Sequence, residues 1–571
     1  MKKIINKFVI VLMATFFVSC EKKLDLVPLD NISEEVFFKA PDDFRFWANQ
    51  YYGSLTSVYV SNTEDWADLT TGSGGNSVSR GEHQVSDYSN TWSGNYRLIR
   101  NANILIEKYE EAGDEHKSSV QQFAGEAYFF RGWAYFNLVV AFGDVPLINE
   151  SLDTSSEAVF SARSDRKEVI KQAISDLNMA ADLCSVESSL TATDKGRISQ
   201  GAALAYKSRV ALFEGTWQKF HNGSDSEDFL GQAMDAADKV ISSDEYELFY
   251  HPAELGDYSY KYLFMLDKVK TNPSSFTKAD NKESILKRAY DADLRESPRQ
   301  AASLVGEKTP TRKMADMYLC LDGLPINQSA LFGGKDGLTT EFKDRDYRMM
   351  NTFQIPGERY HSSAQAIWNK DWSNPDDPLR GYTYTVEFGA RTITGYSTFK
   401  FNPEVELPVG VDYPVIRYAE VLLNYIEAVY EKEGAVSDAE LNRSINLTRE
   451  RGGLPALTNA FILSNSLSIR EEIRRERAVE LFYEGFRYND LRRWKTAETE
   501  IPNDLLGVKY LGTEWETHEW TAGFAGNFDA EGYILMESAA QRTFDPEKHY
   551  LFPLPRRELQ LNENLVQNPK W

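Results

Sequence analysis

"QQFAGEAYFFRGWAYFNLVVAFGDVP", residues Gln121 to Pro146, is the stretch that decides the fold. It is apolar on almost every side of a helix, which is typical of a helix buried in a core or in a membrane. Arg131 and Asn137 lie within it and argue against a membrane span. Gly143 and Pro146 end it. We therefore expect a long core helix with other helices packed around it.

Amphipathic helices are predicted on both sides of this core helix. Residues 165–184 repeat apolar side chains at three- and four-residue spacing, with a charged back. Residues 196–217 carry alanines that allow close approach of a second helix, for which residues 231–242 are the predicted partner. Helical patterns return at residues 415–434 and 468–494. Such pairs resemble tetratricopeptide helical hairpins, although no fixed period of about 34 residues holds throughout.

The chain changes character over about residues 251–410. Gly, Pro, Asn, Asp and Ser become frequent and apolar periodicity weakens, which predicts irregular or short β structure. The helical scaffold is expected at about 30–250 and 411–495, and the tail, 496–571, is again irregular. The predicted fold class is mainly α, with a tetratricopeptide-like hairpin scaffold and an inserted irregular, loop-rich region.

The N-terminus has the pattern of an export signal. Three lysines in the first seven residues precede an apolar run at 8–18, which is too short to span a bilayer as a helix. The run ends in Val-Ser-Cys, which is similar to a bacterial lipobox; an ordinary signal peptide is the alternative. We expect residues 1–19 to be removed and Cys20 to carry the acyl chains. Two or three such chains would anchor residues 20–571 to a membrane almost permanently.

Composition excludes several classes of function. A formal charge of −23 makes nucleic acid an improbable partner, because phosphate binding draws on clustered Lys and Arg. Cys184 and Cys320 form no disulfide framework and are expected to be buried small side chains. The seven histidines lack zinc-ligand spacing, and no nucleophile elbow or phosphate loop is present. We expect no enzyme, no metal and no cofactor. Asp376 and Asp377 are expected in a polar turn, with a calcium contact as the alternative.

A charged segment, residues 473–495, requires separate interpretation. Glu476, Glu480 and Glu484 fall on one face of a predicted helix among several arginines. A solvated or salt-bridged structural face is expected, rather than a glycosidase pair of carboxylates. A contact surface for a partner protein is the alternative.

Seven segments carry a resemblance to a known family. They are "LDLVP" at Leu24, "NYRLIRNANILIEK" at Asn95, "GEAYFFRGWAYFNLVVAFGDVPLI" at Gly125, "GRISQGAALAYKSRVALF" at Gly196, "YPVIRYAEVLLNYIEA" at Tyr413, "IRRERAVELFYEGFRYNDLRRW" at Ile473 and "YLFPLPRRELQLNENLVQNP" at Tyr550. In this order they resemble the SusD/RagB family of surface glycan-binding lipoproteins of Bacteroidota. None is decisive alone, but together they extend along the whole chain.

The resemblance implies the ligand, the partner and the location. The ligand would be an oligosaccharide or polysaccharide. The partner would be a SusC-like TonB-dependent transporter, over which the lipoprotein sits as a hinged lid. The location would be the cell-surface side of the outer membrane. A peptide-binding subunit of a similar uptake complex is the alternative, since some relatives resemble peptide importers.

Two loop-rich segments carry the candidate glycan-binding residues. A sugar ring needs a flat apolar surface for its C–H face and polar groups for its hydroxyls. The candidates are Trp66, Asp68, Arg80, Tyr88, Trp92 and Asn95 in the first segment, and Tyr360, Trp368 and Trp372 in the second. For each aromatic, packing under a loop is the alternative; Trp133 and Trp217 are expected in the core. The acidic chain favours a neutral ligand, unless a local Arg or Lys patch reverses this preference.

Overall fold

The computed structural model is mainly α-helical, with two helical blocks on either side of a loop-rich region. It describes residues 37–56, 63–153, 155–268, 271–291, 293–294, 308–361, 382–383, 386, 388, 392–398, 400–401 and 410–571. The predictions for residues 1–20, and the calcium alternative at Asp376 and Asp377, lie outside the described residues. The predicted fold class is confirmed.

The first helical block contains one short helix and five long ones. These are α1 (Pro41–Asn49), α2 (Asn90–Glu111), α3 (Asp114–Phe142), α4 (Arg166–Leu183), α5 (Gln200–Phe220) and α6 (Ser226–Ile241). Short helices follow in the loop-rich region: α7 (Pro252–Leu255), α8 (Ser259–Leu263), α9 (Arg312–Met317) and α10 (Tyr347–Thr352).

The second helical block begins with one long helix. Its members are α11 (Tyr418–Glu433), α12 (Asp438–Asn442), α13 (Ile445–Arg451), α14 (Asn459–Ser464), α15 (Ile469–Glu480), α16 (Arg487–Arg493) and α17 (Ala497–Glu500). The tail adds α18 (Glu514–Thr517) and α19 (Arg556–Leu561). None of these described helices combines the length and apolar character needed to cross a bilayer.

The strands of the described residues pair two by two, and every pair is antiparallel. The pairs are β1 (Thr70–Gly72) with β3 (Lys308–Pro310), β2 (Ser284–Arg288) with β6 (Tyr413–Arg417), β4 (Arg359–His361) with β5 (Tyr382–Thr383), and β7 (Leu505–Lys509) with β8 (Tyr533–Glu537). Arg288 lies opposite Tyr413. The β2–β6 pair thus brings a strand of the loop-rich region beside the strand that leads directly into α11.

The long helices pack as a series of neighbours. A two-residue link joins α2 to α3, so these helices run antiparallel as a hairpin. Helix α4 packs on α3, α5 packs on α4, and α6 packs on α5. Helix α11 then packs on α5 and α6 and joins the two helical blocks into one scaffold.

Helix α3 is the predicted core helix, and two glycines let α4 approach it closely. A Cβ atom on Gly125 would lie 2.5 Å from the Cys184 sulfur, and one on Gly132 would lie 2.9 Å from the Ala173 carbonyl oxygen. Both distances are shorter than van der Waals contact, so any larger residue would push α4 away. Cys184 and Cys320 are both buried, as predicted.

Arg131, one of the two polar residues that argue against a membrane span, is buried, and its guanidinium group is fully hydrogen-bonded. Arg131 forms two hydrogen bonds to the Asp176 carboxylate, Nε–Oδ2 at 2.8 Å and Nη2–Oδ1 at 2.6 Å. Its Nη1 donates to Asn103 Oδ1 at 2.8 Å. One guanidinium therefore joins α2, α3 and α4. Such buried pairs are tolerated only when their geometry is good and their remaining hydrogen bonds are satisfied.

The charged segment at residues 473–495 is salt-bridged, but much of it is buried rather than solvated. The Glu480 carboxylate accepts hydrogen bonds from Arg417 at 2.6 Å, Arg451 at 2.6 Å and Arg348 at 2.9 Å. All four side chains are at most 2% exposed. Burial works to raise the pKa of Glu480, but the three arginines outweigh it and hold this pKa well below its usual range.

The three arginines come from separate parts of the fold. Arg348 lies in α10 of the loop-rich region, Arg417 ends β6, and Arg451 ends α13. Glu480 itself is the last residue of α15. This cluster, called here the Glu480 centre, therefore fastens the loop-rich region to the second helical block.

We expect Glu480→Gln to destabilise the fold strongly. The variant would leave three buried guanidinium groups short of negative charge, and breaking such a group by removing one partner costs about 3–5 kcal/mol. Glu471→Gln is the matched control, because Glu471 is exposed in the first turn of the same helix; its loss should stay within about 1 kcal/mol. Urea unfolding of both variants measures the difference. Equal losses would show that the Glu480 centre does not stabilise the fold.

Candidate binding cavity

A cavity of about 720 Å³ opens between the helical scaffold and the C-terminal part of the chain. Its walls come from α3, α5, the segment from Glu484 through α16, and residues 552–555. Residues 53–56 and 63–91, the start of α2, β2, α11 and α15 also contribute. The volume falls within the range of about 300–1,000 Å³ that is common for small-ligand sites.

Three of the sequence-predicted site residues line this one cavity: Trp66, Tyr88 and Asn95. Trp66 is half-buried and contacts Tyr488 edge-on, with ring centroids 5.4 Å apart. Tyr88 is 63% exposed, and the Arg557 guanidinium lies 5.1 Å from the centre of its ring. Of the aromatic candidates whose side chains are described, Tyr88 is the one that presents a largely open ring.

Three other candidates lie outside the cavity lining. Asp68 is buried and pairs with Arg487 at 2.8 Å and Lys313 at 2.6 Å. These two cations outweigh the effect of burial and hold the pKa of Asp68 well below its usual range. Arg80 forms an ion pair with Glu537 at 3.1 Å. Both ion pairs are contacts within the protein, and a glycan-binding role of these two residues stays a prediction.

Trp92 also lies outside the lining and packs into the core. It is 6% exposed and contacts Tyr96 and Phe142, with ring centroids 5.0 and 5.4 Å apart. Its backbone N–H donates to the N-cap hydroxyl of Ser89. This is the packing alternative that the sequence left open.

Most of the second predicted segment lies outside the described residues. The backbone of Tyr360 lies in β4. Trp368 and Trp372 lie outside the described residues. Their assignment to glycan binding remains a prediction.

The aromatic walls include core residues. Trp133 stacks on Tyr206, with centroids 4.6 Å apart and planes at 21°. Phe136 meets Tyr206 and Phe213 edge-on, at 5.9 and 5.4 Å. Trp133 is buried, as predicted for the core, but it also contributes to the cavity lining. Tyr488 and Phe552 form a second group around Trp66. Aromatic side chains supply the apolar surface on which the C–H face of a sugar ring packs.

Five amide side chains of described residues lie on the lining: Gln84, Asn95, Asn137, Asn424 and Asn489. Asn137 donates to Asn95 Oδ1 at a long 3.4 Å, a weak bond that a ligand hydroxyl can replace. Asn424 donates to Ser208 and accepts from Arg477 at 2.8 Å. An amide both donates and accepts, which matches the two hydrogen-bonding roles of a hydroxyl group.

The turn that carries Trp66 is held by a buried carboxylate. Glu64 lies in this 3₁₀ turn and accepts a hydrogen bond from the Gly485 N–H at the cavity wall. Burial raises the pKa of Glu64 to about 7, although Lys400 and Lys308 oppose this. The contact places Trp66 beside the segment that follows the Glu480 centre.

Most of the cavity lining was missed by sequence reasoning. Trp133, Tyr206, Asn137 and Asn424 lie on helices whose patterns indicate core. The available signal was a polar residue within an otherwise apolar helix. For Asn137 that signal was used only to reject a membrane span. Among the described residues, no group of three or more His, Cys, Asp or Glu side chains is placed to hold a metal ion.

Comparison with known proteins defines the family. The fold is that of helical proteins built on tetratricopeptide-like hairpins. A family model described as "SusD family" matches residues 275–571, and one described as "Starch-binding associating with outer membrane" matches residues 35–212. Since the first match covers more than half of the sequence, the chain belongs to the SusD family.

The sequences of individual relatives align with this chain over most of their length. "SusD-like protein P38" of Formosa agariphila is 23% identical over 545 residues, covering 90% of this chain and 97% of the relative. A SusD-like protein of Bacteroides ovatus is 24% identical over 501 residues, covering 84% of this chain and 80% of the relative.

Solved structures show the same fold. A SusD-like carbohydrate binding protein from Bacteroides fragilis has a TM-score of 0.71 at 20% identity and matches 93% of this chain and 100% of that one. A second SusD-like protein from the same species has a TM-score of 0.72 at 22% identity and matches 95% and 100%.

His83 lies on the cavity lining, and its lowered pKa should make the stability of the fold depend on pH. Burial, reinforced by His549 and Lys548, lowers the pKa of His83 from 6.5 to about 4. The His83 imidazole therefore takes up a proton near pH 6.5 in the unfolded chain but only near pH 4 in the folded chain. The stability associated with neutral His83 is intact above pH 6.5 and is lost as the pH falls to 4.

We expect His83→Gln to lose less stability than the parent protein between pH 6.5 and pH 5. Thermal unfolding midpoints in half-unit pH steps measure this difference. The comparison above pH 7.5, where the imidazole is neutral in both folded and unfolded chains, gives the effect of the substitution itself. Parallel curves across the whole range would contradict the prediction.

Proposed function

We propose that this chain is a noncatalytic cell-surface lipoprotein that binds oligosaccharides and delivers them to a TonB-dependent transporter of the outer membrane. The observation that carries the proposal is the cavity, in which aromatic side chains and five amide side chains line one space. This is the combination that a sugar needs, since its rings pack on aromatic faces while its hydroxyls bond to amides. The carbohydrate-binding description of the Bacteroides fragilis protein supports the same function.

The family and the N-terminus both support the proposed location. The description "Starch-binding associating with outer membrane" supports an outer-membrane location. The Val-Ser-Cys ending supports acylation of Cys20. A lipid-tethered binder beside a pore raises the local ligand concentration at that pore, which is the benefit of tethering in general.

We expect Asn95→Ala to weaken glycan binding by roughly threefold to tenfold, the equivalent of one net hydrogen bond. The first step is affinity gel electrophoresis of the mature chain against neutral and anionic polysaccharides, to find a glycan that retards it. Asn101→Ala is the matched control on the same helix, because Asn101 bonds to Gln50 and does not line the cavity.

Three results would change the proposal. Equal retardation of the Asn95→Ala and Asn101→Ala variants would show that the cavity is not the glycan-binding site. Release of new reducing ends by the purified protein would indicate an enzyme. No retardation by any glycan, with heat released on adding short peptides, would favour the peptide-binding alternative.

We expect Cys20→Ala to release the protein from the outer membrane, because the acyl chains would then have no sulfur to carry them. Fractionation of the native host should move the variant from the membrane pellet to the soluble fraction. Mass spectrometry of the parent protein should show an acylated Cys20. A variant that stays in the pellet without acylation would indicate that a partner protein holds it there.

A further inference from the structure

The cavity lining carries more positive than negative charge, although the whole chain is strongly acidic. Among the described residues, the ionisable groups of the lining apart from histidine and tyrosine are Arg209, Arg288, Arg477, Arg492, Arg493, Glu484 and Asp490. A charge held out of water is costly unless it is paired, so the partner of each arginine decides how much of its charge is left for a ligand.

Three of the arginines have carboxylate partners. Arg209 makes two bonds of 2.6 Å to Glu420, just behind the wall. Arg493 bonds to Glu427 at 2.7 Å and to Asp490 at 2.8 Å. Arg477 lies 3.3 Å from both of these carboxylates. The charges of these arginines are therefore used within the protein.

Glu484 is not available to compensate the remaining arginines. It bonds to Arg417 at 2.7 Å and to Lys400 at 2.7 Å, neither of which lines the cavity. Arg417 and Lys400 outweigh the effect of burial and keep the pKa of Glu484 below its ordinary value. Its negative charge thus compensates Lys400 and Arg417, of which Arg417 is part of the Glu480 centre.

Arg492 and Arg288 have no carboxylate partner among the described residues. Arg492 is 1% exposed and donates to the backbone carbonyls of Val140 and Tyr550 and to the Asn489 side chain. Arg288 is half-buried and donates one Nη1 bond to the Leu55 carbonyl. Its Nε is buried without a partner in the described part of the chain.

Two guanidinium groups on one cavity lining, neither with a carboxylate partner among the described residues, favour an anionic ligand. A guanidinium presents a planar fork of donors that matches the oxygens of a carboxylate or a sulfate. The net charge of the chain opposes this only weakly, because exposed charges more than about 8 Å away are largely screened at physiological salt. Groups on the lining itself are screened far less.

Building on the proposed function, we propose that the cavity binds acidic saccharides, which carry carboxylate or sulfate groups, and that Arg288 contacts the anionic group. This differs from the neutral ligand that the overall charge suggests. Arg288 is the better residue to test, because Arg492 holds two backbone carbonyls and its substitution would disturb the fold.

The test uses the mature chain, residues 20–571, in detergent, and an array of neutral, uronate-containing and sulfated oligosaccharides. We expect acidic members to be bound and neutral members of equal length to be bound at least about tenfold more weakly, as for the loss of a charged hydrogen bond. Binding of neutral members alone would overturn the inference and leave the proposed function standing. Binding of no glycan would overturn the proposed function itself.

Two matched changes then examine the charge directly. Methyl esterification of the bound uronate, or desulfation of a bound sulfate ester, should weaken binding about tenfold, and Arg288→Gln should have the same effect. Arg97→Gln is the control, since Arg97 is exposed on α2 and lies outside the lining. Unchanged affinity of the neutralised ligand for the parent protein would overturn the inference even if Arg288→Gln failed to fold.

Discussion

The carboxylate of Glu480 is the contact on which the rest of the structure depends. It gathers three buried arginines from α10, β6 and α13, so the loop-rich region and the second helical block share one centre. Buried ions are tolerated only in a narrow range of geometries, so such a centre fixes the relative positions of the elements that supply them. The segment immediately after Glu480 then forms a wall of the cavity, and its position follows from the same contact.

The cavity shows two uses of arginine side by side. Arg209, Arg477 and Arg493 are tied to carboxylates and hold helices together. Arg492 and Arg288 rely on backbone carbonyls and leave their charge without an acidic partner among the described residues. The first group makes the wall rigid, while the second gives it a positive character.

The sequence was sufficient for the scaffold but not for the site. Residues 121–146 predicted the core helix because a helix of that length with apolar side chains on every face must be surrounded by other apolar groups. Residues 473–495 are as charged as a solvent-facing helix, and only distant partners such as Arg348 and Arg417 account for their burial. Trp92 was expected in a loop-rich segment, but it lies in the first turn of α2, where its ring contacts Phe142 from the end of α3. Asn137 and Asn424 reach the cavity through helix packing, which local sequence does not encode.

Several ion pairs and hydrogen bonds join residues that are very far apart in sequence, and this orders the events of folding. Arg348 meets Glu480 across 132 positions, Asp68 meets Arg487 across 419, and Arg80 meets Glu537 across 457. Contacts that close such long loops form slowly, because chain entropy must be lost before they are made. A nascent chain therefore holds its first helices without their final partners until nearly all of it has been synthesised. Completion of the whole scaffold is therefore expected to follow synthesis of the chain rather than to accompany it.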